Sequence, residues 1–414
     1  MNELSYESLS LRALAILALA FLFPAAAAFA QDFWEQAEPG KYVQTIRVVS
    51  PELRSDVQGK VNVRFFAPGM DQVMARSVTY SPKGKAGHIV LTPKPIQLTR
   101  DGFGEFTFRC SDLPYGPITV QLYALNSAGQ RDIFELQLYN TSRKIVPPSG
   151  IPDTIPAPAK GMALAFSDDF DGPLSISKDG RGARYNAHKP KWGDFSGWPF
   201  SDPEGELNPF DQRDTYMIIK ARKPAGTRGS SGLIASVDMD DNGFWAKAPF
   251  YMECRFQAHS SSGTWPAFWT ITNTGRGGGD ELDIVEAYGG WGDMNPNDTG
   301  YYTTSHFWGK RGADGKPVKH PDQYNEMRDI SDGTSWSEAF HTYGLYVDKE
   351  NTIYYLDDQE VWRHPTNPVS YERSHVFMVN YAIGGGSGWY IDLERYGNAS
   401  DMFVDYVRVF TKSE

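Results

Sequence analysis

Short runs of alternating apolar and polar residues fill this chain from Tyr42 to Phe410, cut off at close intervals by Gly, Pro, Asp and Asn. Tyr42 to Val49, Val61 to Phe66, His88 to Leu91, Gly104 to Arg109, Ile118 to Leu125 and Ile133 to Tyr139 read as strands. So do Thr215 to Ala221, Phe250 to Gln257, Ala267 to Thr272, Glu281 to Ala287, Tyr343 to Val347, Thr352 to Leu356, Ser374 to Ile383 and Met402 to Phe410. Beyond Met162 no long helical period interrupts them. A chain with this pattern, carrying 40 Gly and 27 Pro in 414 residues, folds as packed β-sheets.

Composition narrows the function. Forty basic against 51 acidic residues leave a net charge of −11, which excludes a nucleic-acid binder. The two cysteines, Cys110 and Cys254, stand 144 positions apart and read as separate core residues, with neither a disulfide nor a zinc cluster.

Residues 1–30 read as a secretory signal peptide: Arg12, the apolar run Ala13 to Phe23, then Pro24 and Ala28-Phe29-Ala30 ahead of Gln31. Glu3 and Glu7 depart from the usual positive start, and Ala13 to Ala30, 18 residues without charge, leaves a retained anchor as the alternative. Cleavage is the favoured reading. It implies a secreted or periplasmic protein with no stable membrane insertion; a monomer is expected.

Residues 31–143 hold six or seven short strands, the content of a small immunoglobulin-like β-sandwich. Five prolines between Lys144 and Lys160 mark an extended linker, 144–160. Residues 161–414 form one larger all-β domain rich in Trp, Tyr and Gly.

Its most informative stretch is Gly279-Asp280-Glu281-Leu282-Asp283-Ile284-Val285-Glu286-Ala287-Tyr288-Gly289. On a strand, Glu281 and Asp283 share a face. Glu286 falls at an odd offset, and a one-residue bulge at Ile284-Val285 returns it to that face. Like charges so crowded suit retaining glycoside hydrolysis, in which one carboxylate attacks and a second, kept protonated by its neighbours, acts as acid. A solvated acidic strand edge is the alternative.

The sequence here resembles glycoside hydrolase family 16, in the branch marked by Glu-x-Asp-x-x-Glu. Matching segments keep the family order: Asp168-Asp169-Phe170-Asp171-Gly172, Ser231-Gly232-Leu233, Tyr251-Met252-Glu253-Cys254-Arg255, Gly263-Thr264-Trp265-Pro266-Ala267-Phe268-Trp269, Phe340-His341-Thr342-Tyr343, Tyr355-Leu356-Asp357-Asp358 and Phe403 to Val409. The resemblance implies a concanavalin-like jelly-roll sandwich with an open cleft. It makes Glu281 the nucleophile, Glu286 the acid/base and Asp283 the assisting aspartate. It places Trp265 and Trp269 in the cleft, and His306 near the acids. Trp308, two residues on, shares the face of His306, and Trp291 is expected at the cleft rim. His341 reads as support for the fold. No cofactor is needed for the chemistry. Asp169 and Asp405 match a structural calcium site of the family, with ordinary surface acids as the alternative.

The implied function is endo-acting hydrolysis of a β-linked polysaccharide, β-1,3- or β-1,3-1,4-glucan. An agarose-like galactan, a transglycosylase and a non-catalytic carbohydrate binder remain open. The polar stretch Gly309 to Trp336 reads as a long loop able to shape subsites.

Overall fold

A computed structural model describes residues 41–81, 84–191, 193–272, 279–290, 300–310, 312, 315, 318, 320–330, 332–385 and 390–412. The expected signal peptide and Trp291 lie outside the described residues. Among the described residues, no helix is long and apolar enough to cross a membrane.

The first sandwich packs a three-stranded sheet against a six-stranded one. Arg47–Ser50, Lys60–Phe66 and Phe103–Arg109 make the smaller sheet. Lys60–Phe66 alternates as its sequence demands, with Val61, Val63 and Phe65 buried between exposed neighbours. The larger sheet runs Asp56–Val57, Arg131–Asn140, Gly116–Leu125, Gln72–Tyr80, Ala86–Val90, with Ile96–Gln97 on its fourth strand. Two packed sheets, antiparallel except where Asp56–Val57 runs parallel to Arg131–Asn140, make a small sandwich.

Gly116–Leu125 and Arg131–Asn140 are buried along almost their whole length, polar positions included. One face covers the core of this sandwich, through Ile118, Val120, Leu122, Phe134, Leu136 and Leu138. The other carries Thr119, Gln121, Glu135, Gln137 and Tyr139, and the second sandwich covers it. Thr119 donates to the Ser337 carbonyl at 2.7 Å, Gln137 to the Asp401 carbonyl at 3.1 Å, and Tyr139 to Asp214. Tyr396 from the second sandwich stacks on Phe134 at 4.6 Å, and Arg395 pairs with Asp132 at 2.7 Å.

Residues 144–160 run as irregular chain into a short 3-10 turn, Ala157–Ala159, and are held by the second sandwich. Arg408 donates to the carbonyls of Pro152 and Thr154, both at 3.0 Å, and Arg255 to that of Pro148 at 3.1 Å.

The second sandwich has an eight-stranded sheet facing a nine-stranded one across a single large apolar cluster. The eight-stranded sheet centres on Ala399–Thr411, Phe250–Ala258 and His341–Val347. The nine-stranded sheet centres on Ser374–Ile383, Thr264–Ile271, Asp280–Glu286 and Gly300–Phe307. Phe256, Phe268, Leu282, Tyr343 and Phe377 fill the space between them. Cys110 and Cys254 are free and buried in the two separate cores. The stretch read as a long loop contains the strand Asp322–Glu326 on the edge of the nine-stranded sheet.

Candidate active site

Asp280–Glu286 lies between Thr264–Ile271 and Gly300–Phe307. Glu281 stands opposite His306 and Asp283 opposite Thr304, whereas Glu286 stands opposite Tyr302. Three steps on one strand match two on its neighbour, which is a β-bulge. Ile284 and Val285, 1% and 0% exposed, therefore both point into the core beside Leu282. Glu286 returns to the acidic face, where Thr304 Oγ1 donates to it at 3.4 Å.

The acids are gathered under partial cover, with Asp283 buried and Glu281 and Glu286 half-buried. His306 Nε2 lies 3.1 Å from Asp283 Oδ2 and 3.9 Å from Glu281 Oε1. Trp308 Nε1 donates to Glu281 Oε2 at 3.2 Å, and Tyr288 donates its hydroxyl to Glu286 Oε1 at 3.1 Å.

Burial and then the charge of Asp283 push Glu281 up to about 7; His306, Lys189 and the Trp308 donor hold it back. The same two causes push Glu286 up to about 8, against His306 and Tyr288 and with help from Glu281. Burial lowers the His306 ring, but its hydrogen bond to Asp283 and the surrounding acids outweigh this and bring it up to about 9. An imidazolium thus sits beside the carboxylates, and Glu286 keeps its proton to higher pH than Glu281.

Trp308 is 42% exposed and stacks on His306 with centroids 4.8 Å apart. His320 packs edge-on to His306 at 4.3 Å. Trp265 is half-buried beside Tyr288, at 5.6 Å. Trp269 departs from the expectation of an open sugar platform, being only 4% exposed. Its indole N–H donates to Asn380 Oδ1 at 2.8 Å, Phe195 packs 5.9 Å away, and the Lys189 ammonium lies 5.1 Å from its ring. Phe195 and Lys189, from a loop elsewhere in the chain, cover it.

Lys189, Phe195, Tyr288, His320 and Asn380 were not found from the sequence. Tyr288 carried a signal, since it follows Glu286 by two positions, and Asn380 lies on the expected strand Ser374 to Ile383; Lys189, Phe195 and His320 lie on segments whose placement no local pattern encodes.

Among the described residues, Glu281, Asp283 and His306 form a group of possible ligand atoms within 4.8 Å of one another. The calcium expectation fails a geometric test. Asp405 is buried; its Oδ1 accepts from Gly150 N at 2.8 Å and its Oδ2 is paired with Arg255. A fixed guanidinium stands where a cation would be, and Asp169 is half-buried with the Asp171 carboxyl beside it. Calcium takes six to eight oxygens, roughly. Asp169 and Asp405 do not fit it.

Residues 227–397 match the family described as Glycosyl hydrolases family 16. Over these residues the chain is similar to family 16 glycosyl hydrolases. The match contains the acidic strand and its partners. The chain is also 28% identical over 270 residues to the endo-1,3-1,4-β-glycanase EglC of Rhizobium meliloti (strain 1021), covering 60% of this chain and 52% of that protein. It is 25% identical over 228 residues to β-agarase A of Zobellia galactanivorans, covering 51% of this chain and 37% of that protein. The chain thus spans about half or less of the curated relatives it matches. The catalytic domain of an endo-1,3-β-glucanase (laminarinase) from Thermotoga petrophila RKU-1 aligns with a TM-score of 0.47 at 20% identity, covering 61% of this chain and 99% of that one.

Proposed function

We propose that this chain is an exported, endo-acting retaining glycoside hydrolase of β-1,3- or β-1,3-1,4-glucan. One observation carries the reading: the bulge brings Glu281, Asp283 and Glu286 to one face around His306.

In the first step Glu281 attacks the anomeric carbon. The bond to the leaving sugar breaks with its electron pair on the glycosidic oxygen, and Glu286 gives that oxygen its proton. Water then attacks the glycosyl ester and loses its proton to Glu286, which frees Glu281. Asp283 and His306 hold the local charge balance, since the imidazolium offsets negative charge that would otherwise raise Glu281 further. The exposed Trp308 indole and the half-buried Trp265 offer apolar ring faces to sugars.

The relatives named endo-1,3-1,4-β-glycanases support glucan, and the β-agarase makes galactan the second reading. A panel of laminarin, mixed-linkage β-glucan, cellulose derivatives and agarose, read by reducing ends and product sizing, tests both. The expected result is oligomers from laminarin or mixed-linkage glucan. Oligomers from agarose alone would move the substrate to galactan, and no cleavage of any would overturn the function.

A further inference from the structure

Glu135 lies on the polar face of Arg131–Asn140, in the first sandwich, and is fully buried. Burying a carboxylate between two domains is unfavourable unless donors meet it. Three do. Ser337 Oγ and Gln121 Nε2 donate to its Oε1 at 2.7 and 2.9 Å, and the Ser260 N–H donates to its Oε2 at 3.1 Å.

Ser260 belongs to the turn joining Phe250–Ala258 to Thr264–Ile271. Its Oγ accepts from Gly290 N at 3.0 Å, and Gly289 N donates to the Thr264 carbonyl at 2.8 Å. The two backbones touch without space between them: a Cβ on Gly289 would lie 1.8 Å from Thr264 Oγ1, and one on Gly290 2.7 Å from Ser262 Oγ. Tyr288 directly precedes this pair, and its hydroxyl donates to Glu286.

We propose that the N-terminal sandwich belongs to the acid/base machinery, with Glu135 as a positioning residue that holds, through Ser260 and Gly290, the backbone carrying Tyr288 against Glu286. The proposal rests on the reading of Glu286 as the acid/base. It gives the first sandwich a role in turnover that a spacer or a glycan-binding appendage would not have.

The test uses the full chain and four substitutions, Tyr288→Phe, Ser260→Ala, Glu135→Leu and Glu135→Gln. Each is read by the pH profile of kcat/KM and by melting temperature. A donor to Glu286 favours its charged form, so losing Tyr288 keeps Glu286 protonated to higher pH. The falling limb of the profile then moves to higher pH in Tyr288→Phe. Ser260→Ala and Glu135→Leu move it the same way and lower kcat about 10- to 100-fold, with KM little changed. Adding Tyr288→Phe to Ser260→Ala gives no further shift. Glu135→Gln keeps an oxygen for Ser260 N, so its falling limb stays in place, while its NH2 meets the Gln121 donor and lowers the melting temperature.

Ser260→Ala removes one acceptor and leaves the backbone contact to Glu135, so it stays informative if Glu135→Leu fails to fold. A lower melting temperature with an unmoved limb would make Glu135 interface glue and overturn the proposal. So would shifts that add in the double variant. A wild-type chain that cleaves no glycan would overturn the acid/base reading as well, whereas an active wild type with unmoved variant profiles would overturn this inference alone.

Discussion

His306 Nε2 lies 3.1 Å from Asp283 Oδ2 on the neighbouring strand, and its ring is parallel to Trp308 within 6°. The stacking fixes the ring plane, and the contact with Asp283 keeps it charged. Its positive charge holds back the rise of both Glu281 and Glu286.

A pH prediction follows from that charge. Attack needs Glu281 ionised and protonation needs Glu286 protonated, so kcat/KM rises through about 7 and falls through about 8. Both values belong to a coupled set of carboxylates. Replacing His306 by Asn removes the cation, raises both groups and moves the optimum to higher pH. A bell that stays in place in His306→Asn would show that the imidazole carries no charge.

Glu281→Gln is expected to lower turnover at least about 10³-fold with melting temperature kept. In Glu281→Gly, azide should attack the anomeric carbon in place of the carboxylate while Glu286 protonates the leaving oxygen, giving an α-glycosyl azide. Activity of Glu281→Gln near wild type would remove it from the mechanism.

The bulge was legible because residue types conflicted with spacing. A regular strand would have put Glu286 into the core and Val285 into the cleft, and one extra residue resolves both. The strand Gln72–Tyr80 was missed for the opposite reason. Its Met74, Ala75, Arg76 and Ser77 give no alternation, because both faces of the strand are covered. Thr119, Gln121, Glu135 and Gln137 are polar yet buried, under a second sandwich that local sequence does not announce. The loop that covers Trp269 joins it only in the fold.

Deleting Val285 leaves Glu-Leu-Asp-Ile-Glu, a regular alternation with all three acids on one face, and the fold is expected to persist. Inserting a residue after Ile284 turns Glu286 toward the apolar core, where an unpaired carboxylate is unfavourable by several kcal/mol on the order of magnitude. The inserted chain should lose activity and melt lower. A harmless insertion beside a lethal deletion would shift the acid role to another carboxylate.

Glu338 joins the two sandwiches, 2.9 Å from Arg76 Nη2 and 3.0 Å from His88 Nε2. Burial works to raise its carboxyl, but Arg76 and then His88 hold it far below the usual range. A depressed folded value stabilises the protein above the ordinary carboxylate range, and this is lost as pH falls toward the folded value. Glu338→Gln should therefore be less stable at neutral pH and less sensitive to acid. The loss is about 2–3 kcal/mol, below that of a fully buried pair because Arg76 and His88 keep some water. Urea titrations at pH 7 and pH 3 measure it, and equal acid sensitivity in both proteins would contradict the assignment.

The anomeric configuration of the first-formed product tests the two-carboxylate mechanism most directly. Proton NMR of a β-glucan digest, recorded before mutarotation, reads the new reducing end as it appears. Attack by Glu281 followed by water predicts the β-anomer first, with the α-anomer growing in later. The α-anomer appearing first would mean direct displacement by water, and Glu281 would not be the nucleophile.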